Sequence, residues 1–162
     1  MRIREAEPAD WDAIWPFFHQ IVAAGETYTY PRDLDTEAGR EMWMLPPPGR
    51  TVVAVDGDGT VLGSAKMNPN HTGAASHIAS ASFMVDPACG GRGVGRALGE
   101  HVLEWARSAG YRAMQFNAVV ETNTGAVRLW TSLGFEIVGT LAEGFDHPVH
   151  GPVGLHIMYQ RF

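Results

Sequence analysis

A chain of 162 residues, 45% hydrophobic and 19% charged, fits one folded domain, residues 1–162, with a core of useful size. The net charge of −6 argues against general nucleic-acid binding, which needs a basic footprint, but leaves room for a local pocket holding one small anion. A lone cysteine, Cys89, excludes an intrachain disulfide, and no apolar run approaches the length of a membrane span. With no apolar leader in MRIREAEPAD, a soluble cytoplasmic protein is the expectation.

In chain order, Ile3–Glu7 reads as a short strand. Pro8 opens a helix whose Trp11, Ile14, Trp15, Phe18, Ile21 and Val22 recur at helical spacing, a stripe best explained as core packing. Gly25 ends that helix, and Glu26–Arg32 (ETYTYPR) forms a loop. Asp35 caps a second helix reaching about Leu45, where Pro46, Pro47 and Pro48 stop it. Thr51–Val55 and Val61–Met67 flank Asp-Gly-Asp-Gly, a hairpin signal. Ile78–Val85 is a further strand, stopped by Asp86-Pro87. From Val94, the positions Leu98, Val102, Trp105 and Ala109 continue a helical stripe to Gly110. Ala113–Val120 is a strand, and Asn123 caps a helix with Ala126, Leu129, Trp130 and Leu133 on one face and Gly134 at its stop. Phe135–Leu141 and Leu155–Tyr159 are the last strands; the Gly- and Pro-rich AEGFDHPVHGPVG between them is expected to be irregular and flexible. A meander followed by a single crossover makes this a mixed α/β sheet rather than a repeated βαβ array.

The richest segment is VDPACGGRGVGRAL, Val85–Leu98. Gly90, Gly91, Gly93 and Gly95 sit with Arg92 and Arg96 at a strand-to-helix junction, where convergent N–H groups and a helix N-terminus favour phosphate. A Walker loop is excluded, because Arg96 and Ala97 stand where Lys and Ser/Thr are required. A dinucleotide fingerprint begins at Gly93-Val94-Gly95 but meets Leu98 at its third glycine, although Glu121 falls near the place of a ribose-binding acid. A loop that only turns a corner is the remaining plain reading.

The chain resembles the GNAT N-acetyltransferase superfamily over nearly its whole length in element order. The family loop pattern Q/R-x-x-G-x-G/A falls on Gly90–Gly95, and N-x-x-A-x-x-L-Y-x-x-x-G-F appears as NTGAVRLWTSLGF, Asn123–Phe135. The resemblance implies a central, mostly antiparallel sheet with splayed middle strands flanked by helices, and acetyl-CoA as co-substrate. It implies a pyrophosphate resting on the N–H groups of Arg92, Gly93, Val94, Gly95 and Arg96. A pantetheine arm would pair with the strand ending Phe83-Met84-Val85, with an N–H near Met84 or Val85 facing the thioester oxygen. Asn123 would cap its helix and reach the cofactor. Two departures stand out: Gly90 replaces the first Gln or Arg, and Trp130 replaces the tyrosine that often protonates the leaving thiolate.

The implied reaction is attack of an amine on the thioester, with a small-molecule amine, an amino acid or analogue among the candidates, as acceptor. Glu26, flanked by Tyr28 and Tyr30, ranks above His77 as a base acting through water or as an ammonium contact. Asn117, where the family usually has an apolar residue, is the candidate for acceptor binding or acetyl transfer, with a hydrogen bond to a neighbouring strand as the plain alternative. Tyr28 joins them as an acceptor contact. The seven histidines, His147 and His150 among them, lack ligand spacing, so no metal is expected. A homodimer is a further implication of the resemblance; neither nucleic acid nor membrane is an expected partner. A non-catalytic acyl-CoA sensing module and a protein N-acetyltransferase are the alternative readings.

Overall fold

A computed structural model describes residues Met1–Phe162. Seven strands form one sheet in the order β1-β2-β3-β4-β5-β7-β6. They are β1 (Arg2–Glu5), β2 (Arg50–Val55), β3 (Val61–Pro69), β4 (Ile78–Val85), β5 (Ala113–Val120), β6 (Glu136–His147) and β7 (Gly151–Arg161). The helices are α1 (Trp11–Ala24), α2 (Thr36–Trp43), α3 (Val94–Ser108) and α4 (Thr124–Ser132). None is long and apolar enough to cross a membrane. The order and mixed character match the expectation from periodicity.

Alternation along each strand divides the core in two. Val52, Leu62, Met67, Met114, Phe116 and Met158 pack with Leu98 and Val102 of α3 and Trp130 of α4 on one face. Val53, Val55 and Met84 pack with Ile14, Phe18 and Val22 of α1 and Trp43 of α2 on the other. Strand β2 is buried on both faces, which is why its run TVVAV lacks polar alternation. The polar Ser64 survives in that core because it accepts from Trp43 Nε1 (2.9 Å) and donates to the Val52 carbonyl (2.8 Å).

Every pairing is antiparallel except β4 with β5. Those two strands run parallel and are paired only at Ile78↔Ala113 and Ala79↔Met114. Beyond Ala79 they separate, as the resemblance implied.

The C-terminal segment corrects one expectation. AEGFDHPVHGPVG is not irregular: β6 and β7 run to His147 and from Gly151, leaving only a tight turn. Two register irregularities in β6, at Ile137/Gly139 and Leu141/Phe145, take up the extra residues. Pro152 pairs with Asp146 of β6, whereas β7 meets β5 only as far as Val120↔Leu155, so its missing N–H costs no ladder bond to β5. His147 is buried in that turn, its Nδ1 accepting from the N–H groups of Val149 and His150.

Candidate active site

The separation of β4 and β5 opens a cleft of about 450 Å³. Its walls are Ser80–Val85 of β4 and Phe116–Val120 of β5, closed by Thr27–Tyr30 from the loop after α1 and by Asn123, Ala126 and Trp130 of the α4 region. The N-terminus of α3 lies beyond the end of β4.

Backbone direction along β4 follows from three bonds. The Arg112 N–H donates to the His77 carbonyl (2.9 Å), Tyr28 Oη donates to the Phe83 carbonyl (2.6 Å), and the Asp86 N–H donates to Leu62 of β3 (3.0 Å). Odd-numbered residues therefore turn their polar groups toward β5 and even-numbered ones toward β3. Past Ala79 no strand faces the odd set, so Ala81, Phe83 and Val85 present backbone to the cleft. Met84 directs its own N–H to β3 and its side chain to the core; Val85 is the residue whose N–H faces the opening.

The glycine loop is built from positive φ. Gly91 (φ 75°) and Gly93 (φ 77°) adopt left-handed conformations that side chains with a Cβ resist, and Gly93 immediately precedes α3. The backbone N–H groups of Gly91, Arg92, Gly93, Val94, Gly95 and Arg96 have no hydrogen-bond partner in the protein. A run of free donors at the positive end of a long helix is an anion cradle. The Arg92 guanidinium lies against Cys89 Sγ (3.8 Å), within the loop. Arg96 turns away, donating to Ser132 Oγ (2.7 Å) and pairing with Glu100 (3.6 Å).

The Acetyltransferase (GNAT) family matches residues 14–135. The chain belongs to the GNAT acetyltransferase family. A GCN5-related N-acetyltransferase from Kribbella flavida is 60% identical, with a TM-score of 0.97 over 99% of this chain and 97% of that one. A GNAT superfamily phosphinothricin acetyltransferase from Sinorhizobium meliloti in complex with AcCoA superposes with a TM-score of 0.89 over 99% of this chain and 88% of that one; at 21% identity the likeness is one of fold. N-acetyltransferase aca1 of Schizosaccharomyces pombe is 33% identical over 98 residues, 60% of this chain, and the match spans about half of that relative's length (47%).

Within this GNAT domain the expected site residues separate into groups. Asn123 accepts from the Ala126 N–H (3.2 Å), capping α4, and also lines the cleft. Asn117 lines the cleft from β5 and Tyr28 from the loop facing it. Glu26 is exposed and outside the lining, which begins one residue later at Thr27. His77 is exposed at the opposite end of the sheet, in a depression shared with Arg107, Arg112 and Arg161. Glu121, the acid a dinucleotide site would need, is occupied: its Oε1 accepts from the Gly154 N–H (2.6 Å). Trp130 is buried against Phe83 and Phe116, with ring centroids 4.5 and 4.9 Å away.

The lining carries no carboxylate, so a cationic acceptor would find no ion pair there. Its titratable groups are the phenols of Tyr28 and Tyr30. Burial pushes the Tyr28 phenol well above its usual range, and Tyr30 beside it acts in the same direction. Ser80 and Ser82 also line the cleft and were not singled out from sequence. Their signal was present: in IASASFMV the serines alternate with alanines, which places both on one face.

Proposed function

We propose that this GNAT protein transfers an acetyl group from acetyl-CoA to the primary amine of a small molecule, by direct attack on the thioester. The observation that carries this is the run of unpartnered N–H groups from Gly91 to Arg96, set beyond the end of a strand whose own backbone is exposed along a cleft. The residues fit the group. The cradle suits a pyrophosphate, and the odd-numbered backbone groups of β4 suit an extended chain with amides of its own. When bound, acetyl-CoA supplies the activated acetyl carbon and a thiol leaving group with a pKa near about 8.5.

The chain's own residues then have separable tasks. Gly91–Arg96 bind, with Arg92 adding charge at the loop. The Val85 N–H is placed to stabilise negative charge on the thioester oxygen. Tyr28 holds the Phe83 carbonyl and stays protonated. Trp130, packed between Phe83 and Phe116, keeps water from that side of the cleft but cannot release a proton usefully. The amine therefore loses its proton to water rather than to a side chain of the lining.

Trp130 also supports a second reading, a non-catalytic acyl-CoA sensor, since the usual proton donor is missing. Calorimetry with acetyl-CoA, coenzyme A and NAD, followed by thiol release against a panel of amines, tests both. Binding of acetyl-CoA without NAD, and thiol release that needs an amine, is the expected result. Binding without release under any amine identifies the sensor. Failure of acetyl-CoA to bind removes both.

A further inference from the structure

The acceptor side of the cleft contains a polar strap that crosses the sheet. Asn70, just past the end of β3, anchors its N–H on the Ile78 carbonyl of β4 (2.8 Å). Its Oδ1 reaches over β4 to accept from Asn117 Nδ2 on β5 (2.7 Å). From the other side, Gln115 Nε2 donates to Asn117 Oδ1 (2.8 Å). The strap sits where β4 and β5 cease to pair, and Asn117 lies at an irregularity in β5: the step from Phe116 to Val119 is matched by the shorter step from Met158 to His156 in β7.

A carboxamide has two N–H donors and two acceptor lone pairs. Asn117 spends one of each on the strap, so one donor and one lone pair remain, and Asn117 lines the cleft. Both partners turn the amide the same way: a lone pair faces Gln115 and an N–H faces Asn70. Asn70 does this at a cost, because its own Nδ2 is buried with no partner. The one hydrogen bond the Asn70 side chain makes is therefore the one its oxygen accepts from Asn117.

We propose that Asn70 is a positioning residue that fixes the Asn117 carboxamide to read an α-amino carbonyl group. In such an acceptor the amine donates to Asn117 Oδ1 while the carbonyl or carboxylate, one carbon away, accepts from Asn117 Nδ2. No charged side chain of the lining competes for either group. Asn117 is exposed in the open cleft, so an amine without the neighbouring carbonyl forgoes the second hydrogen bond, and where the bound acceptor displaces water from the amide the N–H is left unpaired. The inference rests on the amine-acetyltransferase reading of the cleft.

The test compares alaninamide with isopropylamine, which keeps the carbon skeleton but lacks the carbonyl, with rates referred to unprotonated amine. The natural protein should favour alaninamide in kcat/KM by about tenfold or more. Asn70→Ala should collapse that ratio toward one while leaving the KM for acetyl-CoA unchanged. Asn70→Asp, which keeps an acceptor for Asn117 and exchanges the orphan donor for an oxygen without a partner, should hold the ratio within about threefold of the natural value. Asn70→Ser serves as a second truncation if the alanine variant does not fold. A natural ratio near one, or a ratio that survives Asn70→Ala, overturns the proposal. So does a loss of acetyl-CoA binding that accompanies the loss of selectivity in both the alanine and aspartate variants, since that is the mark of a merely structural role. If other amines of the panel are acetylated but neither of these two is, the proposal is overturned while the function stands; if acetyl-CoA binds and no amine of the panel is acetylated, the function itself falls, and this assignment with it.

Discussion

The two ends of the cleft are built from different materials. At the α3 end the groups offered to a ligand are backbone N–H donors, supplied by one continuous stretch, Gly91–Arg96. At the other end, where we propose that the acceptor enters, they are side chains, and they arrive from separated stretches: Thr27–Tyr30 after α1, Ser80 and Ser82 on β4, and Asn117 held by Asn70. Backbone recognition demands φ and ψ, so its sequence signature is glycine at the positions that need φ > 0. Side-chain recognition demands only that distant segments meet, which leaves no local signature. The first end should therefore be sensitive to backbone change and tolerant of side-chain change, and the second the reverse.

The largest effect should come from the loop glycines. Gly91 and Gly93 have open space where a Cβ would go, so substitution tests conformation rather than bulk. A β-branched residue in the left-handed region costs about 1–2 kcal/mol, so Gly91→Val with Gly93→Val should weaken acetyl-CoA binding by about 30-fold or more, read by calorimetry. Unchanged affinity would mean that the cradle is not where the cofactor binds.

Next in size are the arginines, which resemble each other in sequence and not in the fold. Arg92 remains at the loop, whereas Arg96 is committed to Ser132 and Glu100. Arg92→Ala should lower acetyl-CoA affinity by about fivefold, with the loss shrinking in high salt because the group is exposed. Arg96→Ala should change it by less than about twofold, its backbone N–H being retained. Equal losses would place both guanidiniums on the phosphate.

Asn123→Ala separates a cap from a cofactor contact. Loss of the cap on α4 should cost about 1 kcal/mol of stability, seen in denaturant titration. Acetyl-CoA affinity should move by less than about threefold if capping is the whole of its role.

What the sequence made legible follows the same division. The order of strands and helices was readable because each long element carries its own period, and the cap at Asn123 and the stop at Gly25 are local chemistry. The β6–β7 hairpin was hidden because Gly144, Pro148 and Pro152 look like breakers in isolation. Their acceptability depends on bulges and on where β5 ends, which are properties of the assembled sheet. In the site, the glycine loop announced itself. The bond from Tyr28 to Phe83 spans 55 positions and that from Asn117 to Asn70 spans 47, so neither had a spacing to read. Asn117 was noticeable only as a polar residue where an apolar one is usual. Glu26 drew notice through its neighbours, yet it is the aromatic residues of that loop, not the carboxylate, that turn into the cleft.

The smallest expected effect is the most informative about proton transfer. Tyr28 is the phenol that burial holds in its neutral form as pH rises through the usual phenol value of about 10, so it takes no proton from an amine at working pH. Glu26 lies outside the lining. On the proposed mechanism the amine is already neutral when it attacks, and the acid limb of kcat/KM should belong to the acceptor. An α-amine and an alkyl amine, with pKa values near about 7.7–8.0 and about 10.4, should then give limbs separated by roughly two units or more. Glu26→Gln should shift neither limb and should leave kcat/KM within about twofold. A limb that stays fixed across acceptors, or one that disappears with Glu26→Gln, would instead locate the base on the protein. It would also mean that the acceptor end of the cleft closes around its substrate further than its present walls do.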